Sequence, residues 1–145
     1  MRLQVLAIGR LKAGPEKTLS LDYQTRLETL GRKAGIGRMT VTEFAESQAQ
    51  TATQRQAEEA KLLSAALAPK AFTLVLDERG KACSSEAFSH LLQRHLDQGT
   101  QDLACNLIDI FERTNVIQDQ RKFVTAHAGD LLARVLEDVA TLDNL

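Results

Sequence analysis

Two short runs, Leu3-Gln4-Val5-Leu6-Ala7-Ile8 and Ala71-Phe72-Thr73-Leu74-Val75-Leu76, are apolar at almost every position rather than at every second one. A strand with that pattern must be buried on both faces, the condition of a strand inside a parallel sheet covered by helices on either side. Parallel neighbours also need crossover segments long enough to hold a helix. These two runs therefore constrain what lies between and after them.

The intervening pattern meets the requirement. Gly9 closes the first run, Pro15 stands where a helix begins, and Leu19, Tyr23, Leu27 and Leu30 recur at helical spacing until Gly35 and Gly37. Met39, Val41 and Phe44 alternate with Thr40, Thr42 and Glu43, which predicts a second strand exposed on one side. Residues 51–67 are rich in Ala, Gln and Glu with Ala60, Leu63 and Leu67 on one stripe, predicting a second helix. Pro69 precedes the third strand and the charged loop Asp77-Glu78-Arg79-Gly80-Lys81 follows it. Ser84 or Ser85 then caps a helix with Glu86 in its first turn and Phe88, Leu91, Leu92 and His95 on its buried stripe. The order βαβαβα predicts an α/β fold with an open, mostly parallel sheet and flanking helices. Ligands of such sheets bind beyond the carboxyl ends of the strands, and the loop after Leu76 is one such end. At 145 residues and 43% apolar composition, one domain is expected.

Beyond Gly99 the pattern changes. Leu103-Ala104-Cys105 begins a fourth strand, Asn106 interrupts it, and Leu107, Ile108, Ile110 and Phe111 read more like a helix. From Arg121 onward Val124, His127, Leu131, Val135, Val139 and Leu142 recur at helical spacing. With Gly129 as its one glycine and no proline, the stretch 105–145 reads as a mainly helical segment of the same domain.

The net charge of −1 hides an asymmetry: residues 1–72 hold 11 Lys/Arg against 7 Asp/Glu, and residues 73–145 hold 7 against 12. Arg2, Arg10, Lys12, Lys17, Arg26, Arg32, Lys33 and Arg38 carry most of the positive excess. Such clustering is what a phosphate backbone selects, and it equally suits a solvated helix face. No apolar run approaches the roughly 20 residues that cross a bilayer, so a soluble, unexported, cytoplasmic protein is expected, with no membrane partner. Cys83 and Cys105 lack the paired spacing of a zinc site and read as two inert thiols. His90 and His95, five apart on one helix, point in different directions; His95 reads as a satisfied core histidine and His90 as solvated. Gly9-Arg10-Leu11-Lys12-Ala13-Gly14 matches neither dinucleotide nor phosphate-loop patterns.

The stretch Leu76-Asp77-Glu78-Arg79-Gly80-Lys81, followed by Ser84-Ser85-Glu86-Ala87-Phe88, resembles the signature of the pseudouridine methyltransferase H (RlmH, YbeA-type) family of large-subunit rRNA enzymes, of the SPOUT superfamily. The opening residues 3–9 with Lys12, the pair Tyr23 and Arg26, Thr42-Glu43-Phe44 and the run from Glu58-Glu59 to Leu62-Leu63 support it. The resemblance covers about residues 1–104, ending in Asp102-Leu103-Ala104. It implies a homodimeric SPOUT-like α/β fold whose C-terminal segment threads a loop into a trefoil knot, an exception to the usual unknotted chain. It implies transfer of a methyl group from S-adenosylmethionine to N3 of a pseudouridine in 23S rRNA of the assembled ribosome, with no metal and no covalent nucleophile. The resemblance carries one cofactor-binding position onto this chain, Leu76, with Asp77, Arg79, Gly80 and Lys81 as adjoining candidates; it supplies no catalytic residue here. Residue type alone would make Leu76 an ordinary buried strand leucine.

After residue 104 the family elements stop. Where relatives carry a glycine loop that lets the backbone approach the cofactor, this chain reads Cys105-Asn106-Leu107-Ile108-Asp109-Ile110-Phe111. His127 and Arg134 follow at a different spacing and behind Ala126, and are not assigned. A replaced C-terminus is one explanation. It puts the knot in question and leaves a second functional reading open, a catalytically inactive α/β binding or dimerisation module.

Overall fold

The computed structural model describes residues 1–81, 83–107 and 123–126. Its elements are β1 (Arg2–Ile8), α1 (Pro15–Leu30), β2 (Met39–Phe44), α2 (Ala52–Ala66), β3 (Phe72–Lys81), α3 (Ser85–Asp97), β4 (Asp102–Leu107) and β5 (Phe123–Ala126). The strands form one parallel sheet in the order β2-β1-β4-β3-β5. The expected α/β class and open parallel sheet are what the chain adopts.

The helices take both faces, as the doubly buried strands require. One cluster joins Leu3 and Val5 of β1, Leu103 and Cys105 of β4 and Leu74 of β3 to Leu27 of α1 and Phe88 and Leu92 of α3. The opposite cluster joins Leu6 and Ala104 to Leu63 of α2, Leu67 and Ala71. Face and direction are coupled. The β1-to-β2 and β3-to-β4 connections move the chain the same way along the sheet and put α1 and α3 on one face; the β2-to-β3 connection moves it back and puts α2 on the other. A single crossover hand requires that pairing of direction and face. At the amino edge Arg2 and Asp102, opposite each other in register, make two bonds of 2.7 and 2.8 Å that tie β1 to β4.

Local signals set the helix ends. Pro15 occupies the first turn of α1, where its missing N–H costs nothing. Thr51 caps α2 by accepting from the Gln54 N–H at 3.3 Å. Of the two serines before α3, Ser84 is the cap, its hydroxyl accepting from the Ala87 N–H at 3.1 Å, and Glu86 lies in the first turn. Ser84→Ala is expected to lower stability by about 1 kcal/mol, read as a shifted urea midpoint with an unchanged slope; an unshifted midpoint would refute the cap's contribution.

Four expectations need correction. Leu19, placed on the α1 stripe, is 52% exposed, because α1 meets the sheet only from Tyr23 onward, with Leu27 buried. β4 runs through Asn106 to Leu107, since its ladders to β1 and β3 continue there, Asn106 opposite Leu6 and Val75. Residues 77–81 are an extended continuation of β3 rather than a separate loop. The ladder to β5 jumps, setting both Leu76 and Lys81 opposite Ala126, so that residues 77–80 bulge from it. Finally, Phe123–Ala126 is a strand where helical spacing predicted a helix. The rest of the expected helical segment, with His127 and Arg134, lies outside the described residues, as does the path on which a knot depends.

Candidate functional site

Leu76 stands on β3 between two parallel neighbours. Leu107 of β4 is its register partner on one side and Ala126 of β5 on the other. The end of the third strand is thus flanked by backbone on both sides. Beyond it, residues 77–80, which include the adjoining candidates Asp77, Arg79 and Gly80, have no ladder partner among the described residues; Lys81 rejoins β5 at Ala126.

The strand order produces a second feature at the same edge. β1 sends the chain outward to β2, while its neighbour β4 sends the chain the other way, past β3, to β5. Connections that part in this manner leave a crevice between the carboxyl ends of the two strands. By that rule the strand order puts the expected crevice between β1 and β4, beside the strand that carries Leu76.

One bank of the crevice is built by the turn after β1. Gly9 adopts φ +94°, a conformation that side chains rarely take, and its N–H donates to the Phe44 carbonyl at 2.8 Å. The Leu11 N–H donates to Glu43 Oε1 at 3.0 Å, drawing the turn toward β2. A parallel arrangement holds the turn after β2: the Ser47 N–H donates to Glu59 Oε1 at 2.9 Å, and the Ser47 hydroxyl donates to Glu58. Arg55 donates to the Ala49 and Gln50 carbonyls. Glu59 is only 2% exposed, a buried carboxylate that the helical reading passed over. The signal was present, since Glu59 precedes Leu63 and Leu67 at successive steps of four on the buried stripe.

The remaining candidates are dispersed. His95 stacks on Phe72 with ring centroids 3.8 Å apart, and its Nδ1 meets Thr100 Oγ1 at 3.0 Å, the satisfied state expected of it. His90 is exposed and sits 3.9 Å from Glu86. Cys105 is buried and its thiol is pushed up to about 12 by burial, which keeps it protonated and unreactive at neutral pH. Cys83 is half-buried, with its thiol 3.5 Å from the Ser84 carbonyl. Among the described residues no group of three or more His, Cys, Asp or Glu is placed to hold a metal ion. No helix among them is long and apolar enough to cross a membrane.

This architecture has known relatives. The sequence family described as predicted SPOUT methyltransferase matches residues 1–108, every described element except β5. The chain belongs to the SPOUT methyltransferase family. Within that family it is 47% identical over 103 residues to the ribosomal RNA large subunit methyltransferase H of Rhizobium leguminosarum bv. trifolii (strain WSM2304), covering 71% of this chain and 64% of that protein. The protein of the same name from Rhizobium meliloti (strain 1021) is 48% identical over 103 residues, with the same coverage. That from Rhodopseudomonas palustris (strain BisB5) is 46% identical over 98 residues, covering 68% of this chain and 61% of the relative. The chain thus matches somewhat less than two thirds of the length of these relatives. The resemblance first carried by the motif at residues 76–88 is therefore a family relationship, and the matched segment contains the whole of β3 and β4.

An adenosyl group bound by a SPOUT methyltransferase would ask two things of this edge. It needs main-chain groups that have left the sheet ladder, and residues 77–80 supply them on the β3 side. It also needs close backbone approach, which glycine favours; Asn106 and Leu107 end β4 without one. The β3 side fits such a group.

Proposed function

We propose that this chain transfers the methyl group of S-adenosylmethionine to N3 of a pseudouridine in 23S rRNA, acting in the cytoplasm on the assembled ribosome as a homodimer. The observation that carries the reading is the position of the family motif. Leu76-Asp77-Glu78-Arg79-Gly80-Lys81 lies inside the matched segment and at the carboxyl end of an interior parallel strand, where such sheets bind ligands. The name of the relatives, ribosomal RNA large subunit methyltransferase H, supports the substrate class.

In this reading Leu76 borders the adenosyl group, with Asp77, Arg79 and Gly80 in the adjoining bulge and Lys81 where the strand rejoins β5. The sulfonium of the cofactor supplies an electrophilic methyl group. The protein's contribution is proximity and orientation, holding the target nitrogen in line and excluding water, and no residue of this chain is assigned an acid, base or nucleophile.

A second reading has its own observation. The stretch Cys105-Asn106-Leu107-Ile108-Asp109-Ile110-Phe111 holds no glycine, which favours a catalytically silent binding or dimerisation module with a replaced C-terminus. Tritiated methyl transfer to ribosomes lacking the modification separates the two. Label in the 23S rRNA fraction is expected from the wild-type chain. Leu76→Asp is expected to reduce it at least about tenfold, because a carboxylate would be desolvated against the adenosyl group. No label from a folded wild-type chain, with no calorimetric signal for S-adenosylmethionine, would establish the silent module instead.

A further inference from the structure

The fold divides the cations that the sequence groups together. Arg2 is bound by Asp102 and Arg26 by Asp22 at 2.8 Å. Arg32, Lys33 and Arg38 fall between α1 and β2 at the amino edge of the sheet, while Arg10 and Lys12 fall in the turn after β1 at the carboxyl edge, with Lys17 in the following turn of α1. The 16 residues of α1 separate the two sets by about 24 Å. Arg10 and Lys12 are exposed, and no carboxylate among the described residues forms a salt bridge with either.

Their turn is also held in place. The positive φ of Gly9, the Gly9 bond to Phe44 and the Glu43 bond to the Leu11 N–H fix the residues on either side of Arg10. Strand spacing of about 4.8 Å puts the end of β1, two strands from β3, on the order of 10 Å from Leu76 across the β1–β4 crevice. Three carboxylates lie close by. Glu43 is engaged by the Leu11 N–H, Glu46 lies 3.4 Å from where a Gly9 side chain would begin, and Glu16 lies 3.1 Å from the same point on Gly14. The turn is therefore not a broad positive field. It is two cations on a braced support, with no salt-bridge partner among the described residues, which suits contact with individual phosphates rather than long-range attraction.

We infer that the turn at residues 9–12 is the phosphate-contacting lip of the RNA site, with Arg10 and Lys12 as positioning residues on the bank of the crevice opposite β3 and Glu43 as their brace. The inference rests on the rRNA reading above for the identity of the polyanion.

The test is sedimentation binding of the full chain to purified ribosomes lacking the modification, at several salt concentrations, with methyl transfer measured in parallel. The double variant Arg10→Ala, Lys12→Ala is expected to bind about tenfold or more weakly at moderate salt. Its plot of log affinity against log salt should be shallower by about 1.4–1.8, the value for two lost phosphate contacts. Arg32→Ala with Arg38→Ala makes the same charge change at the far edge and is expected to stay within about twofold of wild type. Glu43→Ala, which removes the acceptor of the Leu11 N–H, is expected to weaken binding without changing that slope, whereas Glu43→Gln keeps an acceptor oxygen and is expected to stay within about twofold of wild type. Equal losses in the two double variants, an unchanged slope in the first, or no salt-dependent binding by the wild type would each overturn the lip. The enzymatic reading fails separately: a wild-type chain that binds through Arg10 and Lys12 yet transfers no methyl group would keep the lip and end the methyltransferase assignment.

Discussion

Leu6→Ala is expected to destabilise the protein by about 2–5 kcal/mol, the range for truncating a leucine whose site cannot collapse. Leu6 is 0% exposed, in the interior strand β1, and faces α2. Its cluster mixes the buried Ala71 and Ala104 with Leu63 and Leu67, and Ile8, Phe44, Ala66 and Ala68 pack against it. In a close-packed interior these neighbours close the gap only in part, so the loss falls within that range. Leu19→Ala is the matched control, because Leu19 is 52% exposed, and should change stability by no more than about 0.5 kcal/mol. Urea unfolding of both variants checks the pair. Similar losses would mean that α1 packs along its whole length, as the spacing alone suggested, and would contradict the exposure of its first turns.

The second large effect concerns pH. A thiol pushed up to about 12 when folded, against about 9 when exposed, binds its proton more tightly in the native state. A group with a raised folded pKa contributes its full stability below the unfolded value and loses it as pH climbs toward the folded value. Below pH 9 Cys105 is protonated in both states and stability is flat with respect to it. Between pH 9 and 12 the unfolded thiol ionises while the buried one does not, and each pH unit removes about 1.4 kcal/mol. The total approaches about 4 kcal/mol at the top of the window, a large part of the roughly 5–15 kcal/mol that holds an ordinary domain folded. Cys105→Ala should flatten the alkaline limb of a plot of stability against pH, at a small cost in packing at neutral pH. An unchanged limb in that variant would mean that other groups govern alkaline unfolding.

Much of this architecture was legible because its signals are local. The doubly apolar runs announced β1 and β3, Pro15 and the serine pair Ser84-Ser85 marked the starts of α1 and α3, and the alternation at Met39 to Phe44 marked a strand exposed on one side. The failures share a cause, in that the deciding interactions are far away in sequence. Asn106 looks like an interruption until β1 and β3 are known to lie on either side of it, when the ladder bonds of two neighbours outweigh its poor strand propensity. Phe123–Ala126 is four residues long, and Val124 fits a helical stripe as readily as a strand; only the open side of β3 selects between them. The candidate site was legible to the same extent. The motif pointed to Leu76 and read residues 77–81 as a loop rather than a bulged strand, and which strands flank it, and that Arg10 and Lys12 share its edge while Arg32 and Arg38 do not, follow from strand order alone.

The placement of β5 has a consequence for synthesis. When the ribosome has just released β4, the sheet holds β2, β1, β4 and β3, and the outer side of β3 presents unbonded main-chain groups. It stays so until Ala126 emerges, 19 residues after Leu107, an interval of about one to four seconds at ordinary elongation rates. During that interval the nascent chain carries an open strand able to pair with a neighbour on the same messenger. A translational pause just after residue 107 would lengthen this hazard, and a premature stop there would make it permanent.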